Sequence, residues 1–172
     1  GQPSGEKGGS ARTPVGDASL GPLVRAMVGA MIHRGPDVQK TAVLPPAVLG
    51  HARLSIIDLD HGADQPMTLE NEGISIVYNG EVYNFMALRR ELEDTGVRFR
   101  THSDTEVVLQ AYRRWGTDCF SRFNGMFALG IWDAERRRLL LARDRVGKKP
   151  LFFRRLAGGG AVFASTLSAL RL

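Results

Sequence analysis

Asn79 and Gly80 directly follow Ile74–Tyr78, a run of β-branched and aromatic residues that predicts a buried strand. Glycine allows another group to approach the backbone closely, and asparagine adds a carboxamide beside it. A strand that ends here can present a side-chain N–H and a backbone N–H at one point, and two such donors make an oxyanion hole. Asn-Gly is also a strong signal for a β-hairpin turn. The dipeptide alone therefore leaves both interpretations open.

A helix is predicted directly after this strand. Phe85, Leu88 and Leu92 recur at helical spacing, with Asn84 as a candidate N-cap and Gly96 as a stop. A helix at this position argues against a tight hairpin.

A second helix is predicted to begin at a capping box, Ser103-Asp104-Thr105-Glu106. Its apolar residues are Val108, Ala111, Tyr112 and Trp115. Negative charge is favourable at a helix N-terminus. The charge of Asp104 is therefore tolerated at this position, and its side chain can face outward.

Arg53 is a candidate for binding an anion. It lies in Val48–Leu59, which predicts a strand, and His51, Arg53 and Ser55 alternate with apolar residues there. A guanidinium that faces a pocket can hold a carboxylate through two parallel hydrogen bonds. A surface arginine is the alternative, and the pattern alone does not decide between them.

The remaining elements predict layered α+β packing. Helical spacing also occurs in the segment before 33–37, where Gly and Pro end the helix, and a helical turn is predicted at Asp118–Phe123. Further strands are predicted at Phe127–Trp132, Leu139–Arg143, Leu151–Phe153 and Ala161–Ala164.

Composition limits the class of protein. A chain of 172 residues fits one domain with a proper core. The net charge of +5 comes from short basic clusters without a nucleic-acid motif or interleaved aromatic residues, so we expect no nucleic-acid partner. The chain has no apolar run long enough for a bilayer span and no apolar signal segment at Gly1, which predicts a cytoplasmic protein without membrane association.

Two further features concern the N-terminal segment and the cysteine content. Residues 1–16 are rich in Gly, Ser and Pro and are predicted to be a disordered segment or a linker. Cys119 is the single cysteine, which excludes an internal disulfide. Its position between Asp118 and Phe120 predicts a small core residue.

Seven ordered blocks share a pattern with one known family. They are HRGPD at 33–37, GHARLSIIDLD at 50–60, QPM at 65–67, YNGEVYN at 78–84, FRTHSDTE at 99–106, NGMFALGIWD at 124–133 and ARDRVGKKPLFF at 142–153. Together they resemble the class II, N-terminal-nucleophile type glutamine amidotransferase domain of the asparagine synthetase family. The resemblance runs from about Asp17 to the C-terminus.

The resemblance implies a fold and a reaction. It implies a four-layer αββα sandwich of the N-terminal-nucleophile hydrolase type over residues 17–172, in which the first strand is missing. The family's reaction is hydrolysis of the glutamine side-chain amide to glutamate and ammonia, for ATP-dependent amidation of aspartate.

The resemblance also implies site residues. Arg53 would bind the substrate α-carboxylate and Asp104 its α-ammonium, Asn79 and Gly80 would form the oxyanion hole, and Glu81 would help to line the pocket. The family's nucleophile is an N-terminal cysteine whose α-amine, with a pKa of about 8, takes the thiol proton. This chain begins with glycine, and an internal cysteine has no such amine. We therefore expect this polypeptide alone not to hydrolyse glutamine.

Two interpretations remain open. The chain is either the glutaminase part of a truncated asparagine synthetase, or a non-catalytic domain with a structural or partner-docking role in an amide-forming enzyme of peptide natural products. The absent cysteine favours the second, and the intact pocket residues favour the first. A synthetase domain, in cis or in trans, would bind ATP and Mg, so we expect neither a cofactor nor a metal in this chain. A homodimer is a further expectation.

Overall fold

The computed structural model describes residues 17–35, 37–53, 64–156 and 159–172. The predicted linker at 1–16 lies outside these residues. The helices are α1 Asp17–Ala30, α2 Phe85–Asp94, α3 Asp104–Trp115, α4 Cys119–Arg122 and α5 Leu167–Leu170. The strands are β1 Val38–Leu44, β2 Ala47–Arg53, β3 Met67–Leu69, β4 Ile74–Val82, β5 Gly125–Asp133, β6 Arg138–Arg143, β7 Phe152–Arg155 and β8 Ala161–Ala164.

Among the described residues, the strands form one larger sheet and two hairpins. In the larger sheet the order is β3-β4-β5-β6, and each neighbouring pair is antiparallel. The hairpins pair β1 with β2 and β7 with β8. In β4 side chains alternate, so that Ile76 and Tyr78 join a core with the helices while Val77 packs toward the hairpins.

The prediction that Asn79-Gly80 ends the strand is wrong. Strand β4 continues to Val82, because β5 pairs with it along its whole length, including Asn79 with Ala128 and Gly80 with Phe127. The hairpin alternative is also wrong, since the chain passes straight through the dipeptide. An Asn-Gly dipeptide does not by itself show whether a partner strand lies beside it and continues the pairing.

Helices α2 and α3 cover one face of the larger sheet. Leu92 of α2 and Val108 of α3 are fully buried against Ile76 and Ile131 of the sheet. The predicted N-cap at Asn84 is at the right position, but its side chain makes no capping bond. The Asn84 carboxamide instead donates to the Arg122 carbonyl and accepts from the Asn124 amide, both at 2.9 Å. It therefore ties the start of α2 to the segment before β5.

The two hairpins cover the other face of the larger sheet, and α1 lies outside them. Leu49 of β2 packs with Val77 and Trp132 of the larger sheet. Met27 of α1 packs with Val162 of β8 and with α5. The order is therefore helices, sheet, hairpins and helix, which confirms the predicted α+β sandwich. Within the part of the chain described, no helix has the length and hydropathy needed to cross a membrane.

Several predicted bounds differ from the structure. Strand β2 ends at Arg53 within the described residues, and 54–59 of the predicted strand lie outside them. Strands β1 and β3 are not predicted by the sequence. Strand β1 mixes exposed Gln39 and Lys40 with Val43, so it shows no regular alternation of apolar and polar residues.

Cys119 is a core residue, as predicted. Its side chain is buried among the residues of the helix layer. Burial and the nearby Asp118 raise the pKa of its thiol to about 12. The thiol is therefore protonated at neutral pH and unsuited to act as a nucleophile.

Asp133 connects the end of β5 to α3. Its carboxylate is fully buried and accepts hydrogen bonds from the Tyr112 hydroxyl at 2.9 Å and from Arg136, through the backbone N–H at 2.9 Å and the guanidinium at 2.8 Å. Burial by itself would raise the pKa of Asp133, but these hydrogen bonds outweigh it and hold the pKa below the ordinary value. The ionised carboxylate therefore stabilises the fold.

We expect Asp133→Asn to lower the free energy of unfolding by about 2 kcal/mol at neutral pH, because the buried donors lose a charged acceptor. A folded-state pKa below the unfolded value means that this contribution is present above the ordinary aspartate pKa and is lost as the pH falls through the folded-state value. The difference in the free energy of unfolding between wild type and variant, measured by urea denaturation, should therefore become smaller at acid pH. Glu135→Gln on the exposed neighbour is the control. A difference in the free energy of unfolding that stays constant down to low pH would contradict the prediction.

Candidate functional site

Gly80 lies in close contact with the backbone of β5. A Cβ on Gly80 would lie 2.1 Å from the Met126 carbonyl oxygen and 2.6 Å from the Phe127 Cα. Its φ of +153° also lies in the region that favours glycine. Gly125 of β5, which pairs with Val82, is equally confined, since its Cβ would meet the Glu81 carbonyl oxygen at 2.1 Å. Glycine is therefore required at Gly80 because a side chain there would collide with the backbone of the neighbouring strand.

Asn79 is half-buried and shares a face of β4 with Val77. That face looks toward the hairpin layer, because Val77 packs with Leu49 of β2. Asn79 also borders a cavity between the layers. Its carboxamide thus lies on the side of the sheet where β2 and Arg53 are.

Arg53 is the last residue of β2, and its guanidinium lies 3.2 Å from the Asp64 carboxylate. Lys40 contacts the other oxygen of the same carboxylate at 2.5 Å. The hydrogen bond from Lys40, followed by the bond and charge of Arg53, holds the pKa of Asp64 below its ordinary value. The Arg53 guanidinium is therefore already paired with a carboxylate of the same chain, that of Asp64.

Gln65 joins the elements that carry the predicted site residues. Its Oε1 accepts a hydrogen bond from the Tyr78 backbone N–H at 2.5 Å, and its Nε2 lies 3.5 Å from the Thr105 hydroxyl. Gln65 directly follows Asp64, which contacts Arg53. The segment 64–65 thus holds the end of β2, the middle of β4 and the start of α3 together.

Asp104 lies at the start of α3, as predicted, but its carboxylate does not point outward into solvent. Its carboxylate turns toward β4, where it accepts a hydrogen bond from the Tyr78 hydroxyl at 2.7 Å and from the Val82 backbone N–H at 3.1 Å. Burial, followed by the nearby Asp104 carboxylate, raises the pKa of Tyr78 far above its ordinary value. Tyr78 is therefore a permanent donor to Asp104.

The predicted capping box forms only in part. The Ser103 hydroxyl accepts from the Glu106 backbone N–H at 3.3 Å, as expected. The Glu106 carboxylate instead accepts from the Arg100 and Thr101 backbone N–H groups, at 2.9 and 2.6 Å. The loop before α3 is thereby fixed, and with it the position of Asp104.

Glu81 is exposed at the surface of β4, where it pairs with Met126. Its charge lies near enough to contribute to the raised pKa of Tyr78. The structure therefore brings Arg53, Asn79, Gly80 and Asp104 around segment 64–65 and Tyr78, and leaves Glu81 at the edge of this group.

His51, Lys40 and Asp64 belong to this region but are not predicted as site residues. Burial chiefly lowers the pKa of His51, and the nearby Tyr78 backbone partly opposes this shift. The alternation of His51 with Arg53 along β2 was a signal for its position. For Lys40 and Asp64 the sequence carries no such signal, because Lys40 contacts Asp64, and Asp64 contacts Arg53, only through the fold.

The site offers a cation at Arg53, an anion at Asp104 and amide donors at Asn79 and Gly80. Such a set suits a small molecule that carries a carboxylate, an ammonium and a polar carbonyl group. Among the described residues, no group of three or more His, Cys, Asp or Glu side chains is placed to hold a metal ion.

Two solved structures share this fold. Glutamine phosphoribosylpyrophosphate amidotransferase from Bacillus subtilis superposes with a TM-score of 0.69 at 21% identity, covering 87% of this chain and 40% of that one. A structure titled as the allosteric regulatory enzyme of purine biosynthesis superposes with a TM-score of 0.62 at 26% identity, covering 72% and 29%. These similarities support an N-terminal-nucleophile type sandwich.

The sequence comparisons define the family. Residues 10–172 match the family described as glutamine amidotransferase domain. Asparagine synthetase [glutamine-hydrolyzing] 3 of Bacillus subtilis is 40% identical over 84% of this chain, and asparagine synthetase B of Escherichia coli is 39% identical over 81%. The chain belongs to the glutamine amidotransferase family, as a class II domain of the asparagine synthetase type. It spans 24% and 25% of the length of these two relatives.

Proposed function

We propose that this domain binds glutamine between Arg53 and Asp104, with the side-chain amide directed at Asn79 and Gly80. The observation that carries the proposal is the convergence of these residues on segment 64–65 and Tyr78, in a chain of this family. Arg53 holds the α-carboxylate in place of Asp64, and Asp104 holds the α-ammonium. Both anchors already have part-buried partners, so their positions are preset.

The reaction served by this site is hydrolysis of the glutamine amide for a synthetase domain that amidates aspartate. A nucleophile attacks the amide carbon, the C–N bond breaks with release of ammonia, and water then releases glutamate. Asn79 and Gly80 stabilise the oxyanion of the tetrahedral intermediate. ATP and Mg would bind to the synthetase domain. The relatives named as glutamine-hydrolysing asparagine synthetases support the assignment of this reaction.

These residues do not supply the nucleophile. Cys119 is the single cysteine of the sequence, and its thiol is buried and protonated. The polypeptide of 172 residues is accordingly a glutamine-binding domain that does not cleave its ligand alone. The lack of a nucleophile among these residues also favours a second candidate function. In that function the domain is non-catalytic and docks a partner in an amide-forming enzyme of peptide natural products.

We expect the 172-residue polypeptide to bind L-glutamine and to release no ammonia above a no-enzyme control. Binding is measured by isothermal titration calorimetry, with D-glutamine and L-norleucine as controls. The first misplaces the α-groups, and the second lacks the amide. Ammonia is measured with a coupled dehydrogenase assay over hours. Ammonia release that grows with enzyme concentration would refute the inactivity, and equal binding of all three ligands would refute the site.

A further inference from the structure

The two oxygens of the Asp104 carboxylate have different surroundings. Oδ2 accepts a hydrogen bond from the Tyr78 hydroxyl at 2.7 Å and a second one from the Val82 backbone N–H at 3.1 Å. Within the described part of the chain, Oδ1 accepts no hydrogen bond and neither oxygen contacts a cation. The fold therefore holds one oxygen and leaves the other available to a ligand.

The Tyr78 side chain has little freedom to move. Its ring packs in the core between β4 and the helices, and the residue is only 4% exposed. Its backbone N–H is held as well, because it donates to the Gln65 side chain at 2.5 Å. A rotamer that is locked by packing keeps its polar atom in one place. The Tyr78 hydroxyl is therefore a donor at a fixed position.

This fixed donor determines how the Asp104 carboxylate is oriented. The χ2 angle of an aspartate is broadly distributed, so the backbone position of Asp104 alone does not fix the plane of its carboxylate. The Tyr78 hydroxyl and the Val82 N–H fix that plane together, because a rotation of the carboxylate would lengthen both bonds. A group that is oriented in advance loses less freedom when it binds a ligand.

Tyr78 also leaves the charge of Asp104 without a compensating cation. Burial, followed by the charge of Asp104, raises the pKa of Tyr78 above its ordinary value, so its hydroxyl stays protonated and neutral. A lysine or arginine in its place would form an ion pair with Asp104 and would compete with a cationic ligand. A neutral donor orients the carboxylate without this competition, which suits the binding of an ammonium group.

We propose that Tyr78 is a positioning residue for the ligand's ammonium group: its hydroxyl holds Oδ2 of Asp104, so that Oδ1 is left to bind the α-ammonium of glutamine. This inference rests on the proposed glutamine site and adds Tyr78 to it. Tyr78 acts through Asp104 and is not itself a contact of the ligand.

The test compares two ligands on the full 172-residue chain by isothermal titration calorimetry. The ligands are L-glutamine and 4-carbamoylbutanoate, which keeps the carboxylate and the amide but lacks the α-ammonium. Tyr78→Phe keeps the buried ring and removes only the hydroxyl. We expect it to weaken L-glutamine binding by about tenfold and 4-carbamoylbutanoate binding by less than about twofold. A general defect of the fold would weaken the binding of both ligands alike.

Tyr112→Phe is the matched control. Tyr112 is also a buried tyrosine of the helix layer, and its hydroxyl also donates to an aspartate, Asp133, at 2.9 Å. Asp133 is not part of the proposed glutamine site. We therefore expect this variant to lose stability but to keep the dissociation constants of both ligands within about twofold of wild type.

A second comparison tests whether Tyr78 acts through Asp104. Two residues that act as a unit have non-additive effects when both are replaced. In the background of Asp104→Asn, we therefore expect Tyr78→Phe to change L-glutamine binding by less than about twofold. Losses that simply add would mean that Tyr78 affects the ligand by another route, which contradicts the proposal.

A measurement on the wild-type side chain decides the question even where Tyr78→Phe does not fold. The chain has three tyrosines, so tyrosine labelled with carbon-13 at Cζ gives three resonances. Tyr83→Phe and Tyr112→Phe assign two of them, and the third belongs to Tyr78. We expect saturation with L-glutamine to shift the Tyr78 resonance and saturation with 4-carbamoylbutanoate to leave it in place. Equal shifts with both ligands would overturn the proposal.

The outcomes separate this inference from the proposed function. Absence of L-glutamine binding to the wild-type chain would refute the glutamine site, and the role of Tyr78 with it. L-glutamine binding that Tyr78→Phe leaves unchanged would refute the role of Tyr78 alone. Equal weakening of both ligands by Tyr78→Phe would show that Tyr78 supports only the fold, which also overturns the proposal.

Discussion

Replacing Gly80 by alanine will destabilise the domain by about 3 kcal/mol, the upper range for forcing a methyl group into a packed interior. The added Cβ would lie 2.1 Å from the Met126 carbonyl oxygen and 2.6 Å from the Phe127 Cα. Both are backbone atoms of the neighbouring strand, so neither can move aside as a flexible side chain would. Strand β5 must shift along the part of β4 that carries Asn79.

The free energy of unfolding is measured by urea denaturation followed by tryptophan fluorescence. Gly29→Ala is the matched control, because Gly29 is exposed in α1 and its added Cβ meets nothing within 4 Å. Alanine is a better helix former than glycine by up to about 1 kcal/mol, so this control should be neutral or stabilising. Equal stability of the Gly80 variant and wild type would show that β5 does not approach β4 as described.

Replacing Arg53 by glutamine will weaken glutamine binding by about 100-fold, since a charge-assisted, two-point contact with the α-carboxylate is lost. Arg53 is part-buried at the end of β2 and already holds the Asp64 carboxylate at 3.2 Å. A guanidinium in this geometry can exchange one carboxylate for another with little movement.

Lys40→Gln is the matched control, because Lys40 contacts the same Asp64 carboxylate from the other side. Arg53→Gln and Lys40→Gln each remove one cation that contacts Asp64, but only Arg53→Gln removes the proposed ligand anchor. We expect Lys40→Gln to change the dissociation constant by less than about threefold, as for an exposed ion pair. Equal losses in the two variants, measured by calorimetry at matched thermal stability, would mean that Arg53 acts only through Asp64.

Local patterns predicted the elements whose signals lie within a few residues. The apolar spacing of Leu88 and Leu92 placed α2, and the Ser103 hydroxyl caps α3 as its position indicates. These features depend on backbone geometry over one or two turns, which local sequence determines. Cys119 was predicted as a core residue for a similar reason.

Partners that are distant in sequence were not predictable from these patterns. Asn84 has the residue type of an N-cap, yet its carboxamide binds Arg122 and Asn124, which the fold brings beside it. Asp104 turns inward because the Tyr78 hydroxyl and the Val82 N–H are there to bind it. Both choices depend on which donors lie nearby in space.

The sequence by itself determined the family, the helices around the site and the residue types at Arg53, Asn79, Gly80 and Asp104, because ordered motifs and short-range spacing carry that information. Only the tertiary structure decided that β4 runs through Asn79-Gly80, that Asp64 and Gln65 join Arg53 to β4 and α3, and that a cavity lies between β2 and β8. The physical reason is that strand pairing and buried hydrogen bonds join residues far apart in the chain. A strand's own residues do not specify which neighbour satisfies its edge.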